Sequence, residues 1–174
     1  MKTEEFNGGI TLDTKSCNLN EISYDDFEDV KKIYVNEQVR KYLGGAVPEE
    51  HTRAKFNDTV VRSFNSDSSF LVVRLKINNQ FIGLVSLDNH VDGGIEVSYE
   101  FLPAWWGQGF ATEVINRVIK YAFEEMGIVK LLAETQTANV SSCNLLERLG
   151  MKLERKVQRF GSEQGIFSIE NRVH

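Results

Sequence analysis

The chain is poor in the residues that make staples, metal sites and anchors. It has two cysteines, Cys17 and Cys143. Two are too few for a disulfide framework, and neither Cys-x-x-Cys nor a Cys/His ligand spacing occurs. The three histidines, His51, His90 and His174, are scattered along the chain, so no metal site is expected. No apolar run reaches the roughly 18 residues of a membrane span, and the N-terminus has no apolar core of signal-peptide length. The expectation is a cytoplasmic protein with no membrane partner. No long basic run occurs, and the formal net charge is −5. That argues against nucleic acid, whose phosphates are bound by concentrated basic surfaces. A local pocket for one phosphorylated small molecule is still allowed.

What is present reads as one folded domain spanning residues 1–174, since 174 residues can build a full-sized core. Residues 10–23 alternate loosely, as a first strand. "SYDDFEDVKKIYVNEQVRKYL" has Phe27, Val30, Ile33 and Tyr34 at helical spacing. A second amphipathic helix restarts at Pro48, after Gly44-Gly45. The period then changes. "SFLVVRLKI" (69–77) and "FIGLVSLDNH" (81–90) form a hairpin pattern, and "IEVSYEFL" (95–102) alternates strictly, with Ile95, Val97, Tyr99 and Phe101 on one face and Glu96, Ser98 and Glu100 on the other. From Ala111 to Met126 an unbroken apolar stripe predicts a helix that Gly127 stops. "IVKLLAET" (128–135) reads as a buried strand and "SSCNLLERLG" (141–150) as a short capped helix. The rest, from Lys152, is a final hairpin turning near Gly161–Gly165. A strand, glycine loop, helix and strand in succession imply a right-handed crossover between parallel strands. The expected fold class is therefore α/β with a mixed sheet and helices on both sides.

The crossover opens with "PAWWGQGFATE", Pro103–Glu113, which holds both tryptophans and the pair Gly107 and Gly109. A glycine loop that opens a helix is an anion site, because the first backbone N–H groups of the helix lack internal partners and the dipole adds positive charge. A Walker loop is excluded, since no Lys follows Gly109. A dinucleotide fingerprint fits Gly107-Gln108-Gly109 but finds Thr112 where a third glycine belongs, with Glu134 rather distant for the ribose acid. By the loop alone, a packing turn remains open too.

Two longer blocks resemble the GCN5-related N-acetyltransferases (GNAT). The family's cofactor motif is Gln/Arg-x-x-Gly-x-Gly/Ala, and "WGQGFA" matches it at Gly109 and Ala111, with Trp106 in place of the leading Gln or Arg. "EVSYEFLPAWWGQGFATE" (Glu96–Glu113) and "NVSSCNLLERLGM" (Asn139–Met151) are similar to the RimJ/RimL-like branch, which acetylates N-terminal amines of ribosomal proteins. The resemblance implies the GNAT fold: a central, mostly antiparallel sheet with one splayed parallel strand pair and flanking helices. It implies an enzyme moving an acetyl group from acetyl-CoA to a primary amine by direct attack. It also implies a cofactor site: Phe101 and Leu102 beside the pantetheine arm, backbone N–H groups of Gly107, Gln108, Gly109, Phe110, Ala111 and Thr112 on the pyrophosphate, and Asn139 and Ser142 near the arm and thiol.

Three chemical tasks follow. An α-amine near pKa 7.7–8.0 is deprotonated at pH 7 for about 1 kcal/mol, a lysine for about 4.6 kcal/mol. Glu96 matches the family's strand glutamate and is the candidate base, with Glu100 second. Backbone N–H groups near Leu102 are expected to face the oxyanion. Many members use a Tyr four residues before the Gly of the "LG" pair to protonate the thiolate, but that position is Leu146 here. The branch's Ser, here Ser142, is the candidate instead; the plainer reading is that Ser142 or Ser141 caps a helix. Cys143 has no His near in sequence and reads as a small buried residue. Trp105 and Trp106 read first as core or rim packing; Trp106 could also cover the pyrophosphate loop and Trp105 face the acceptor cleft.

Acceptor choice is expected to reside in the 40–56 region, with Tyr42, Glu49, Glu50 and His51, and in the final hairpin. An acidic cleft suits a cationic amine or a basic protein N-terminus as partner. The chain is expected to be a monomer or homodimer. A non-catalytic acyl-CoA-binding module on the same scaffold is the second reading. Glu96, Asn139 and Ser142 favour the enzyme.

Overall fold

The computed structural model describes residues 9–65 and 68–172. The N-terminal stretch read for a leader falls partly on 1–8, and that part and His174 lie outside the described residues. Eight strands form one sheet: β1 Thr11–Asp13, β2 Cys17–Glu21, β3 Ser69–Leu75, β4 Phe81–Asn89, β5 Ile95–Phe101, β6 Lys130–Gln136, β7 Lys152–Arg159 and β8 Ser162–Glu170. Their spatial order is β1-β2-β3-β4-β5-β6-β8-β7. Every neighbouring pair is antiparallel except β5–β6. The helices are α1 Phe27–Tyr34, α2 Glu37–Arg40, α3 Thr52–Phe64, α4 Phe110–Glu124 and α5 Val140–Arg148. Among the described residues no helix is long and apolar enough to cross a membrane.

Strand alternation divides the core in two. Leu71, Val73, Val85, Val97, Phe101, Leu131 and Ala133 meet α4 and α5, through Val114, Ile115, Val118, Leu145 and Leu146 among others. The opposite face, with Val72 and Leu84, is covered by α1 and α3 through Val30, Ile33, Phe56 and Val60. Helix α4 is the crossover between the parallel strands. Its apolar stripe is buried at Val114, Ile115, Val118, Ile119 and Ala122, as its spacing predicts.

Two expected elements are divided. The strand expected over 10–23 is a hairpin, because Thr14 Oγ1 accepts the Cys17 N–H at 2.9 Å and turns the chain between β1 and β2. The helix expected over 23–43 breaks after Tyr34. Asn36 takes extended backbone angles and its Oδ1 accepts the Val39 N–H at 3.0 Å, so it caps a second short helix. Gly165, expected in the last turn, is buried inside β8, and the turn lies at Phe160–Gly161.

The feature that positions the site is the short β5–β6 ladder. It pairs only Ile95 with Leu131 and Glu96 with Leu132. Beyond that, β5 stays with β4 as far as Phe101↔Gly83, while β6 stays with β8 as far as Gln136↔Gln164. The two strands therefore part. Gly83 lets the end of β5 sit close: a Cβ there would meet Phe101 Cδ1 at 2.6 Å and the Glu100 carbonyl oxygen at 2.8 Å. Gly83→Ala is expected to destabilise the fold by about 1–3 kcal/mol through overpacking, measured by chemical denaturation; unchanged stability would show that β5 yields freely.

Candidate active site

The glycine loop follows β5 through a 3-10 turn at Pro103–Trp105. Gly107 and Gly109 have φ of 71° and 85°, left-handed values that favour glycine, and Gly109 is the N-cap of α4. No side chain caps this helix. A Cβ built at either glycine meets nothing within 4 Å. The cradle is therefore open, and its first-turn N–H groups at Phe110, Ala111 and Thr112 belong to an uncapped helix end. Gln108 folds its side chain back, donating Nε2–H to the Ala104 carbonyl at 2.8 Å, so it offers only backbone. The acid of the first turn, Glu113, is held away: its carboxylate accepts from the Ser16 N–H at 3.0 Å and from the Thr14 hydroxyl. These hydrogen bonds keep its carboxyl below the ordinary range against the effect of burial.

The tryptophans do different work from each other. Trp106 is half-exposed and donates its indole N–H to the Phe101 carbonyl at 2.7 Å, tying the loop to the end of β5. Trp105 packs against the α4–α5 core with its ring edge toward Phe110, centroids 6.1 Å apart. It therefore lies on the α4 side, not in an acceptor cleft on the other face. Leu102 also departs from expectation. Its N–H is donated to the Ile82 carbonyl at 2.9 Å, so it is spent within the sheet and does not suit an oxyanion. By antiparallel alternation the N–H groups of Val97, Tyr99 and Phe101 point the other way, toward β6. Past Glu96 that direction is the gap between the strands.

Glu96 and Glu100 share the α1–α3 face with Asp88 of β4 and Glu134 of β6. Three of these carboxylates have cations. Asp88 pairs with Arg62. Glu134 Oε2 lies 3.3 Å from Arg159 Nε. Glu100 Oε2 lies 4.0 Å from Arg40 Nη1, too far for a hydrogen bond, and has no other partner. Burial pushes the Glu100 carboxyl up, opposed by Arg40 and Lys55. Arg40 itself clamps the following loop, donating to the carbonyls of Gly45 at 3.0 Å and Leu43 at 2.7 Å. Gln136 holds the same loop over the gap by donating to the Tyr42 carbonyl at 3.1 Å. The expected acidic cleft thus draws on the strands. Glu49 of the 40–56 region pairs with Lys31 instead, and Glu50 and His51 are exposed.

Glu96 differs from its neighbours. Among the described residues its side chain has no hydrogen bond or ion pair. Burial, with further lift from Glu134 and Asp88, pushes its carboxyl up to about 7. His90 and, more weakly, Arg159 oppose this rise. His90 Nδ1 accepts the Asp92 N–H at 3.1 Å, and its Nε2 lies 2.7 Å from Glu134 Oε1.

Across the sheet, α5 starts at Asn139, whose Oδ1 accepts the Ser142 N–H at 3.2 Å. Asn139 is therefore the cap, and neither serine is. Ser142 Oγ instead lies 2.8 Å from Tyr99 Oη. Cys143 Sγ faces the carbonyls of Gln136 and Thr137 at 3.9 and 4.0 Å, and burial pushes its thiol up, which suits a packed thiol rather than a nucleophile. The structure places Glu96 on the α1–α3 face of β5, Phe101 and Leu102 at its end, the glycine loop at the start of α4, and Asn139 and Ser142 at the start of α5 on the opposite face. Sequence reasoning gave no role to Tyr99, His90, Arg159 or Arg40. Tyr99 lay within a quoted motif, but only as an apolar-face residue; nothing in sequence spacing links His90 to Glu134.

A family model described as "Acetyltransferase (GNAT) domain" matches residues 17–152. The chain belongs to the GNAT family. It is an N-acetyltransferase whose acyl donor is acetyl-CoA. It is 25% identical over 158 residues to an uncharacterized N-acetyltransferase, YoaA, of Bacillus subtilis, covering 88% of this chain and 89% of the relative. The fold is shared with the ribosomal-protein-S5-alanine acetyltransferase of Vibrio fischeri: TM-score 0.78, 16% identity, 94% of this chain and 97% of that one. It is also shared with the Vibrio cholerae spermidine N-acetyltransferase, solved with CoA and spermine: TM-score 0.74, 18% identity, 88% and 95%. In this GNAT chain the open glycine cradle and uncapped α4 fit a cofactor that carries a pyrophosphate.

Glu96 also marks stability. Its folded pKa, about 7, lies above the ordinary carboxylate value of about 4.3. The folded state thus holds this proton more tightly. The contribution is full below about pH 4.3 and is lost as pH rises toward 7. Glu96→Gln is expected to flatten that part of the profile of melting temperature against pH; an unaltered slope in the variant would count against the raised pKa.

Proposed function

We propose that this GNAT enzyme acetylates a primary amine that enters over the α1–α3 face, with Glu96 as base and Ser142 serving the thiol from the α4–α5 face. The observation that carries the reading is the state of Glu96. It is the last residue of the β5–β6 ladder, unpaired, and its carboxyl is raised to about 7. A base with that pKa is matched to an α-amine near 7.7–8.0. Acetyl-CoA supplies a thioester carbonyl and a thiolate leaving group.

The chain's own groups divide the remaining work. Backbone N–H groups from Gly107 to Thr112 take the pyrophosphate, without a lysine. The unpaired edge of β5 at Tyr99 and Phe101 lies along the pantetheine arm, and the Phe101 N–H replaces Leu102 as oxyanion donor. The Asn139 amide keeps its Nδ2 donors for the arm while its oxygen caps α5. Ser142 stands in the first turn of α5, where the helix dipole favours a thiolate. Base and thiol partner lie on opposite faces of β5, so amine and leaving group approach and depart on opposite sides.

We infer a cationic acceptor, a basic protein N-terminus or a polyamine, in a cytoplasmic setting. The carboxylates of Glu96, Glu100 and Glu134 on the entry face favour positive charge. The names of the two structural neighbours, one acting on a ribosomal protein and one on spermidine, support an amine of either kind.

Two measurements test this. Gly109→Glu puts a bulky carboxylate into the cradle and is expected to abolish CoA binding in calorimetry while the protein still melts cooperatively; retained affinity would displace the pyrophosphate from this loop. Thiol release is measured over a panel of basic N-terminal peptides, polyamines and amino acids. For the accepted amine, kcat/KM is expected to rise as pH rises through about 7, and Glu96→Gln to lower it roughly a hundredfold. No release with any amine would sink the acceptor reading, and a full rate in Glu96→Gln would remove Glu96 as base.

A further inference from the structure

Position 146 supplies no phenol, since it is a leucine buried in the core. A phenol reaches the opening from a different element. Tyr99 stands on β5 past Glu96, where the ladder with β6 has ended. Its side chain points to the α4–α5 face and its Oη meets Ser142 Oγ at 2.8 Å. This contact spans from the strand at the edge of the gap to the first turn of α5.

Either hydroxyl can donate in this contact. A serine hydroxyl has one proton and two acceptor sites. Ser142 Oγ is not occupied as a cap acceptor, since its helix is capped by Asn139, so it can accept from Tyr99. Burial pushes the Tyr99 hydroxyl up to about 12, with Cys143 adding to the lift and Ser142 and Arg148 opposing it. The phenol therefore stays protonated through the working pH range and is available as a donor.

We propose that Tyr99 is a positioning residue for acyl transfer: its phenol donates to Ser142 Oγ and so turns the one Ser142 proton toward the departing sulfur. The inference rests on the Ser142 assignment made above. In the transfer the C–N bond forms and the C–S bond breaks. The electron pair leaves on sulfur, the amine's proton passes to Glu96, and the Ser142 O–H hydrogen-bonds the thiolate until solvent returns a proton. Tyr99 gives up no proton and touches no reacting atom. Without its donation the Ser142 hydroxyl is free to donate back to the phenol side or to water, and part of its stabilisation of sulfur is lost.

Tyr99→Phe tests this, because it keeps the ring that packs on the core and removes only the hydroxyl. The probe is CoA itself. Ionisation of its bound thiol is followed by ultraviolet thiolate absorbance against pH, beside kcat for the accepted amine and a thermal melt. Both Tyr99→Phe and Ser142→Ala are expected to raise the bound thiol's pKa and lower kcat, with CoA affinity at low pH unchanged. For Tyr99→Phe the loss in kcat is roughly three- to tenfold, the scale of one hydrogen bond. In the Ser142→Ala background Tyr99→Phe is expected to do nothing more. Ser142→Thr, which keeps a hydroxyl, is expected to keep the response to Tyr99→Phe. An unshifted thiol ionisation in Tyr99→Phe, or a loss that adds in full to that of Ser142→Ala, overturns the role of Tyr99 and leaves Ser142 standing. If Ser142→Ala itself moves neither readout, the Ser142 assignment falls and the role of Tyr99 falls with it.

Discussion

β5 and β6 share a ladder at Ile95–Leu131 and Glu96–Leu132, and each then gives its backbone to a different neighbour. A parallel pair that parts inside a continuous sheet exposes N–H and C=O groups that are ordinarily paired. Here the exposed edge belongs to Tyr99 and Phe101. The cost of leaving it unpaired is tolerable only where something else comes to bond there, and the glycine loop opens beside it. The break in pairing leaves the β5 edge at Tyr99 and Phe101 open between two faces of the sheet, and the proposed site is built on it.

Several polar ties brace the opening. Trp106 anchors the loop to the Phe101 carbonyl, Gln136 holds the Tyr42 segment over the gap, and Tyr99 bonds Ser142 across it. At the closed end the His90–Glu134 bond, with Arg159, joins the β4–β5 turn to β6 and β7. Within this frame Glu96, among the described residues, has no hydrogen bond or ion pair. A half-buried carboxylate without a direct partner is costly in its charged form, and the raised pKa expresses that cost.

Long periodic segments are legible from their spacing alone. The stripe from Ala111 to Met126 and the alternation from Ile95 to Phe101 each bury the face that their spacing predicts. Short elements are not, because local polar side chains decide them: Thr14 divides the first strand, and Asn36 divides the first helix. Motif residues are legible in order along the chain: the glycine loop opens α4, and Ser142 lies in the first turn of α5. The donor role of Leu102 fails because strand register gives its N–H to Ile82. Trp105 packs on the core, the plainer of its two readings, because the side on which the 3-10 turn leaves β5 sets its direction.

The sequence by itself determined the crossover and the glycine loop that opens α4, because these follow from local spacing and from backbone freedom at Gly107 and Gly109, and two longer blocks carried the resemblance to the family. The tertiary structure alone decided which of the acids is unpaired. Asp88, Glu100 and Glu134 find Arg62, Arg40 and Arg159 through contacts between elements far apart in the chain, and among the described residues Glu96 forms no ion pair. It alone decided that Ser142 is bonded to a phenol rather than spent on capping. Both outcomes are properties of packing: a side chain's charge and hydrogen bonds depend on what the fold brings within a few ångströms, which no spacing along one chain specifies.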